Sequence, residues 1–418
     1  KDMPRKSQQS APIVILLTID SLKADWFDKS TRSLPQIKTL QRLTDSPSTW
    51  FSAKIFSAST STRFTLGSLI FGRYPSHLKW QRYRATHPSL LKETRPTLWS
   101  QLKQGNVSST YIATDKDIIR DNNGLGRGLS KVIILPPRPD FKVAFSPSVI
   151  DHLISELTSA VESDEGALFF SHLLDAHHPF NGGAKVGKNM IQNHLSELAI
   201  IDQQIARLLT WIEKNEAHSR IWLLISSDHG QGFGQHHVRT HNGPPYEHQA
   251  RVPFWVYHQD HNSQPSVVTK TVIQQAWSNS YTWSSIDLHP TLLDLYGLPA
   301  SVHTQGVSWW PYWSMMTSHQ TTSATYTQQL IQMTKALHRR PLLSINWYTR
   351  SLLRPDSLIK VIEDTRTKTT SLFKLRDDPK EKQSQCTSAS SLCQTEQEML
   401  LKLVYTDGQQ PIDMTKKR

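Results

Sequence analysis

The sequence predicts an α/β protein: a mainly parallel central sheet with helices on both faces, followed by a small C-terminal antiparallel subdomain. Three observations predict it. Apolar runs at Ile13–Ile19, Ala167–Leu174 and Ile221–Ile225 are of strand length and hydrophobic almost throughout, as strands buried on both faces are. Stretches with helical character alternate with such runs, the order that a parallel sheet with crossover helices requires. After about residue 300 the pattern changes to short β-rich runs within residues 341–376, LLSINWYT, SLIKVIED and TTSLFKLRD, which suit an antiparallel unit.

Taken in order, residues 1–11 read as a disordered lead-in and Ile13–Ile19 as the first strand, ending at Asp20-Ser21. Ser33–Thr44 reads as a helix on the face of the sheet. Phe51–Pro75 is rich in hydroxyls before an apolar stretch, Phe64–Phe71, of helical character. Thr97–Gly105 reads as a helix with Gly105 at its C-cap, followed by strands at Ser109–Ala113 and Lys131–Leu135. A helix at Ser148–Val161 leads to the strand Ala167–Leu174, and the long amphipathic helix Gln192–Lys214 feeds the strand at Ile221. Arg251-Val252-Pro253-Phe254 returns to the sheet. The division expected is a main domain over residues 12–305 and a C-terminal α+β subdomain with a frayed tail over 306–418.

Composition narrows the function classes. Hydrophobic residues make up 37% of the 418, and the longest apolar run, Ile13–Ile19, is far too short to cross a bilayer. The formal charge of +12 implies attraction to anions. The basic residues are scattered and form no nucleic-acid module, so anionic esters or an anionic membrane surface are the expected partners, not nucleic acid. Lys1 opens a polar, basic stretch, and the expectation is a mature form or an excised domain, with any membrane anchor upstream. The two cysteines, Cys386 and Cys393, read as a local disulfide formed in an oxidising compartment.

The chemistry concentrates at strand ends. The strand at Ile221 runs into Ser226-Ser227-Asp228-His229-Gly230, placing a carboxylate and an imidazole where a strand stops. Ligands in open α/β sheets bind at the carboxyl ends of strands, and Asp with His suits a divalent metal such as zinc. Two other strands end similarly, one at Asp20 and one at Asp175-Ala176-His177-His178-Pro179-Phe180. Those ends are expected to converge on one edge of the sheet. His236, His237, His241 and His248 follow Asp228 in a His-rich loop, where most are expected to serve loop hydrogen bonding.

Two glycine patterns carry no function. Gly182–Asn189 approaches a phosphate-binding loop but ends in Asn where Ser or Thr should hold magnesium, and it does not leave a strand directly. Gly124–Gly128 reads as a flexible loop.

Several motifs occur in a familiar order. Strand–Asp20 is followed by the hydroxyl-rich segment closed by Gly72-Arg73-Tyr74-Pro75, then by the Asp175–Phe180 run and Ser227-Asp228-His229-Gly230. Next come Tyr246-Glu247, Arg251-Val252-Pro253, the Asp287–Gly297 run DLHPTLLDLYG and finally the Leu372–Glu381 run LFKLRDDPKE. Together they resemble the sulfatase branch of the alkaline phosphatase superfamily over roughly residues 12–385.

The resemblance implies a metal-bound nucleophile shortly before the Gly-Arg-Tyr-Pro turn. Counting back from Gly72 without a gap puts Thr62 there; aligning on Arg63 instead picks Ser59. Sulfatases use Cys or Ser in C/S-x-P-S-R, oxidised to formylglycine. Threonine is what sulfatase-like phosphotransferases use, such as lipoteichoic acid synthases and lipid A phosphoethanolamine transferases. Thr62 is therefore the expected nucleophile, with Ser59 the alternative. Three departures point the same way: Ser21 stands where sulfatases carry a second Asp, Ala113-Thr114-Asp115-Lys116 where they carry Gly-Lys-Trp-His, and His229 where they carry Asn.

The implied ligand set is Asp20, Thr62, Asp228 and His229, suited to a single zinc or manganese ion. Arg63, His177 and His241 are the expected contacts to substrate oxygens, and His177 and His241 also candidates to protonate the leaving group. The activity implied is a metal-dependent phosphotransferase or phosphodiesterase acting outside the cytoplasm on an anionic phospholipid or glycan headgroup. A formylglycine sulfatase using Ser59 and a non-catalytic lipid-binding regulatory domain are the alternatives.

Overall fold

The computed structural model describes residues 11–28, 34–83, 87–90, 92–114, 118–136, 146–180, 189–259, 277, 281–314, 324–387 and 390–405. The lead-in over residues 1–10, the phosphate-loop-like run before Asn189 and the tail from Gln409 lie outside these residues.

The strands in chain order are β1 (Ile13–Ile19), β2 (Thr49–Phe56), β3 (Gln81–Tyr83), β4 (His87–Ser89), β5 (Ser108–Ala113), β6 (Lys131–Ile134) and β7 (Ala167–Leu173). They continue with β8 (Ile221–Ser227), β9 (Arg251–His258), β10 (Trp283–Ser284), β11 (Leu342–Ile345), β12 (Thr349–Arg354), β13 (Ile359–Asp364) and β14 (Thr369–Lys374). Eight of them form one sheet in the order β10-β2-β9-β8-β1-β7-β5-β6. Its strands are mutually parallel except β9, which runs antiparallel to both β2 and β8. The predicted mainly parallel sheet with a separate antiparallel unit is the observed architecture.

Burial explains the central strands. Every residue of β1, β7 and β8 is buried, because helices cover both faces. Side chains alternate across the sheet. Ile13, Ile15, Leu17 and Ile19 enter one core with the helices Ser146–Val161 and Met190–Lys214. Val14 and Leu16 enter the other, with the helix Thr62–Phe71 and a cluster of tryptophans that includes Trp277, Trp283, Trp309 and Trp313. Fully burying each such aliphatic side chain stabilises the fold by about 1.5–3 kcal/mol.

The helix Met190–Lys214 starts at Asn189, whose side chain accepts a hydrogen bond from the Gln192 N–H. It buries Leu198, Ile201, Ile205, Leu208 and Ile212 along one stripe. The helix Thr62–Phe71 ends at Gly72, whose φ of 62° suits glycine; a Cβ there would lie 2.9 Å from the His289 ring.

Several elements differ from the sequence reading. β2 runs into the stretch read only as hydroxyl-rich; its burial is uneven and its pairing with β9 shifts register between Ser52 and Ile55, so no clean alternation marks it. In the C-terminal part, helices at Ala324–Leu337 and Ser391–Tyr405 flank the β-rich runs in the chain.

β11–β14 form a four-stranded antiparallel sheet. The helix Ser391–Tyr405 packs against it through Leu400 and Val404. Cys386 and Cys393 are disulfide-bonded with Cα atoms 5.3 Å apart, tying this helix to the preceding loop. At the junction with the main sheet, fully buried Lys360 of β13 lies 2.9 Å from both Glu247 and Glu381. No helix among the described residues is long and apolar enough to cross a membrane.

Candidate active site

Register builds the site. Ile19 of β1 pairs with Leu173 of β7 on one side and Ser227 of β8 on the other, so Asp20 and Asp228 stand side by side one residue beyond the strands. One row earlier, Thr18 pairs with His172 and with Ser226. Alternation gives Thr18, Asp20, His172 and Asp228 the same face of the sheet. That face is covered by the helix Thr62–Phe71.

Each carboxylate is held by one oxygen and presents the other inward. Oδ1 of Asp20 accepts a 2.6 Å hydrogen bond from the Ser21 hydroxyl. Its Oδ2 lies 3.1 Å from His172 Nε2 and 3.4 Å from Thr62 Oγ1. Oδ1 of Asp228 accepts from the backbone N–H of His229 at 2.8 Å and of Ser21 at 3.3 Å. Its Oδ2 is buried without a hydrogen bond, 3.2 Å from His229 Nε2 and 3.8 Å from His172 Nε2.

His229 has a defined tautomer. Its Nδ1 lies 2.9 Å from the Gly230 carbonyl, which only accepts, so Nδ1 carries a hydrogen and, in the neutral ring, the Nε2 lone pair faces the site. Thr62 Oγ1 stands 3.2 Å from that lone pair. Gly230 is required by close approach, since a Cβ there would lie 2.2 Å from the His248 carbonyl oxygen.

The buried Asp228 oxygen and the His229 nitrogen face each other 3.2 Å apart, a gap that a proton on Nε2 or a bound cation bridges. Asp20, His172 and Asp228 also offer donor atoms all within 4.8 Å of one another. Ligands at zinc distances in a tetrahedron stand about 3.3 Å apart, close to the spacings seen here. The residues fit a divalent ion. Burial pushes the Asp20 carboxyl up, but His177, His172 and His229 outweigh it and hold the group well below the ordinary carboxylate range.

Thr62 is the first residue of its helix and is half-buried, so its hydroxyl reaches the site from the positive end of the helix dipole. Arg63 follows, buried in the same turn. Ser59 is fully buried, and its hydroxyl accepts from the Ser61 N–H at 3.1 Å. His177 and His241 meet with their Nε2 atoms 3.1 Å apart, and His241 stacks on His229 with ring centroids 4.5 Å apart. Burial, and then the neighbouring His229, push His241 down to about 3.

One sequence expectation needs correction. The three strand ends do converge on one edge, but the Asp175 carboxylate is engaged elsewhere: both its oxygens accept from Ser146, where it caps the helix Ser146–Val161. Burial pushes it up to about 6. In its place β7 contributes His172, which sequence reading passed over as strand interior. Its parity with Asp20 and Asp228 is the signal that finds it. Of the loop histidines, His236 is bonded to the Lys380 carbonyl at 3.0 Å and stacks on Tyr246, away from this centre.

A family model described as Sulfatase matches residues 12–298, well over half of the chain. The extracellular sulfatase SULF-1 homolog of Drosophila melanogaster is 25% identical over 119 residues, which is 28% of this chain and only 10% of that protein. A sulfatase candidate from Bacteroides thetaiotaomicron superposes with a TM-score of 0.68 at 14% identity, covering 97% of this chain and 94% of that one. The soluble domain of lipooligosaccharide phosphoethanolamine transferase A from Neisseria meningitidis superposes with a TM-score of 0.55 at 14% identity, covering 71% of this chain and 91% of that one. At these identities the structural likeness is one of fold.

Proposed function

Because this chain belongs to the sulfatase family, we propose that it is a metal-dependent phosphotransferase or phosphodiesterase acting on an anionic lipid or glycan headgroup, with Thr62 as nucleophile. The observation that carries the reading is the position of Thr62 Oγ1, 3.2 Å from His229 Nε2 and 3.4 Å from Asp20 Oδ2, at a helix N-terminus. Asp20, Asp228, His229 and Thr62 would hold the ion, which is zinc or manganese in this reading. The bound ion supplies positive charge that lowers the pKa of a hydroxyl and offsets charge on the oxygens of the ester.

The remaining chemistry falls to the chain's own groups. Thr62 Oγ1 passes its proton by way of solvent to the His177–His241 pair and bonds to phosphorus as the bond from phosphorus to the leaving oxygen breaks, leaving phosphothreonine. His177 and His241 bind the non-bridging oxygens, and a proton passes to the leaving oxygen from this pair. Water or an acceptor hydroxyl then attacks phosphorus and releases Thr62. Placement outside the cytoplasm is supported by the Cys386–Cys393 disulfide.

The test is intact mass after incubation with a phosphodiester: a phosphate-sized or headgroup-sized adduct on wild type that is missing from Thr62→Ala. A sulfatase using Ser59 is the second reading, favoured by the sulfatase neighbour; it requires formylglycine at residue 59 in a peptide map.

A further inference from the structure

We infer that His172 is a ligand of the same ion and biases the site toward zinc-like transition metals over calcium. This rests on the metal-dependent reading above and extends it to a residue outside the ligand set Asp20, Thr62, Asp228 and His229.

Three observations carry it. The first is position: His172 Nε2 lies 3.1 Å from Asp20 Oδ2 and 3.8 Å from Asp228 Oδ2, and all three residues are buried. It thus faces the same two inward oxygens as His229, from the neighbouring strand. The second is the donor set. Beside Asp20 stands Ser21, whose hydroxyl donates to Asp20 Oδ1 at 2.6 Å. The inward donors of the centre are therefore carboxylate oxygens of Asp20 and Asp228 and imidazole nitrogens of His172 and His229. Calcium takes six to eight oxygen ligands, whereas imidazole suits zinc and its neighbours. Two carboxylates and two imidazoles make a poor calcium site.

The third is the support behind the ring. His172 Nδ1 lies 2.8 Å from Thr18 Oγ1. A hydroxyl donates or accepts, so it tolerates either tautomer. Without an ion, Nε2–H donates to Asp20 and Nδ1 accepts from Thr18. With an ion, the hydrogen resides on Nδ1 and is donated to Thr18, freeing the Nε2 lone pair. One proton changes nitrogen and none is gained or lost. Thr18 is a positioning residue of the kind that orients metal-binding imidazoles.

The experiment loads the metal-free chain with zinc and counts imidazoles by X-ray absorption, then measures zinc and calcium affinity by dye competition. Wild type should hold about one zinc with two imidazoles. His172→Gln should show one imidazole and bind zinc at least tenfold more weakly, with calcium affinity little changed. Thr18→Val should weaken zinc about tenfold while retaining both imidazoles. One imidazole on wild type, or unchanged zinc affinity in folded His172→Gln, would overturn the assignment and leave the metal-dependent reading standing. Wild type that binds no ion would overturn both. If His172→Gln does not fold, the wild-type imidazole count decides alone.

Discussion

Oδ2 of Asp228 and Nε2 of His229 lie 3.2 Å apart, with the carboxylate oxygen buried and, among the described residues, without a hydrogen bond. An ion bound there stabilises the folded state by mass action, about 2.7 kcal/mol at a free concentration one hundred times Kd. Chelation should therefore lower Tm and abolish turnover, and zinc should restore both. Differential scanning calorimetry with and without chelator checks this; an unchanged Tm and undiminished turnover would remove the ion from the account.

Gly230→Ala tests the backbone that aims Asp228 and His229. The added methyl would meet the His248 carbonyl at 2.2 Å, a backbone atom that cannot swing aside. We expect a loss of stability of about 1–3 kcal/mol and a larger loss of activity, because the loop carrying both ligands must shift. Urea unfolding alongside turnover measures the two effects separately.

The Glu247–Lys360–Glu381 cluster ties the antiparallel sheet to the main one. Lys360→Met leaves two buried carboxylates facing each other and should cost about 3–5 kcal/mol. The double variant Lys360→Met with Glu381→Gln should recover part of that loss. A double variant no better than the single one would mean that Lys360 acts through packing, not charge.

His289 links stability to pH. It is fully buried between the Ile70 carbonyl and Gln101, and burial pushes it down to about 4. A depressed histidine contributes stability that is complete above its unfolded pKa, near 6.5, and is lost as pH falls toward 4. Wild type should lose about 3 kcal/mol more than His289→Gln between pH 7 and pH 4. Burial pushes Glu381 up to about 7, and by the same linkage it loses stability as pH rises, so the comparison is variant against wild type at each pH.

The fold was legible where burial is uniform. β1, β7 and β8 are buried along their whole length, and their sequences are accordingly apolar almost throughout. β2 was not legible, because polar Ser52 and Lys54 sit within a strand whose register shifts. Asp20, Asp228, His229 and Thr62 were readable as a group because each stands at a strand end or a helix start. His172 was not, because a histidine within a buried strand announces itself only once the register beside Thr18 is known. Asp175 misled for the converse reason: strand-end position alone does not distinguish a ligand from the helix cap that it forms with Ser146.

The central claim is that Thr62 attacks the ester. The most direct measurement is peptide mapping by mass spectrometry of wild type, Thr62→Ala and Ser59→Ala, each quenched during reaction with a phosphodiester. The account predicts a phosphate-sized or headgroup-sized adduct on Thr62 in wild type and Ser59→Ala, and none in Thr62→Ala. An adduct that survives in Thr62→Ala, or a formylglycine at residue 59, would contradict it.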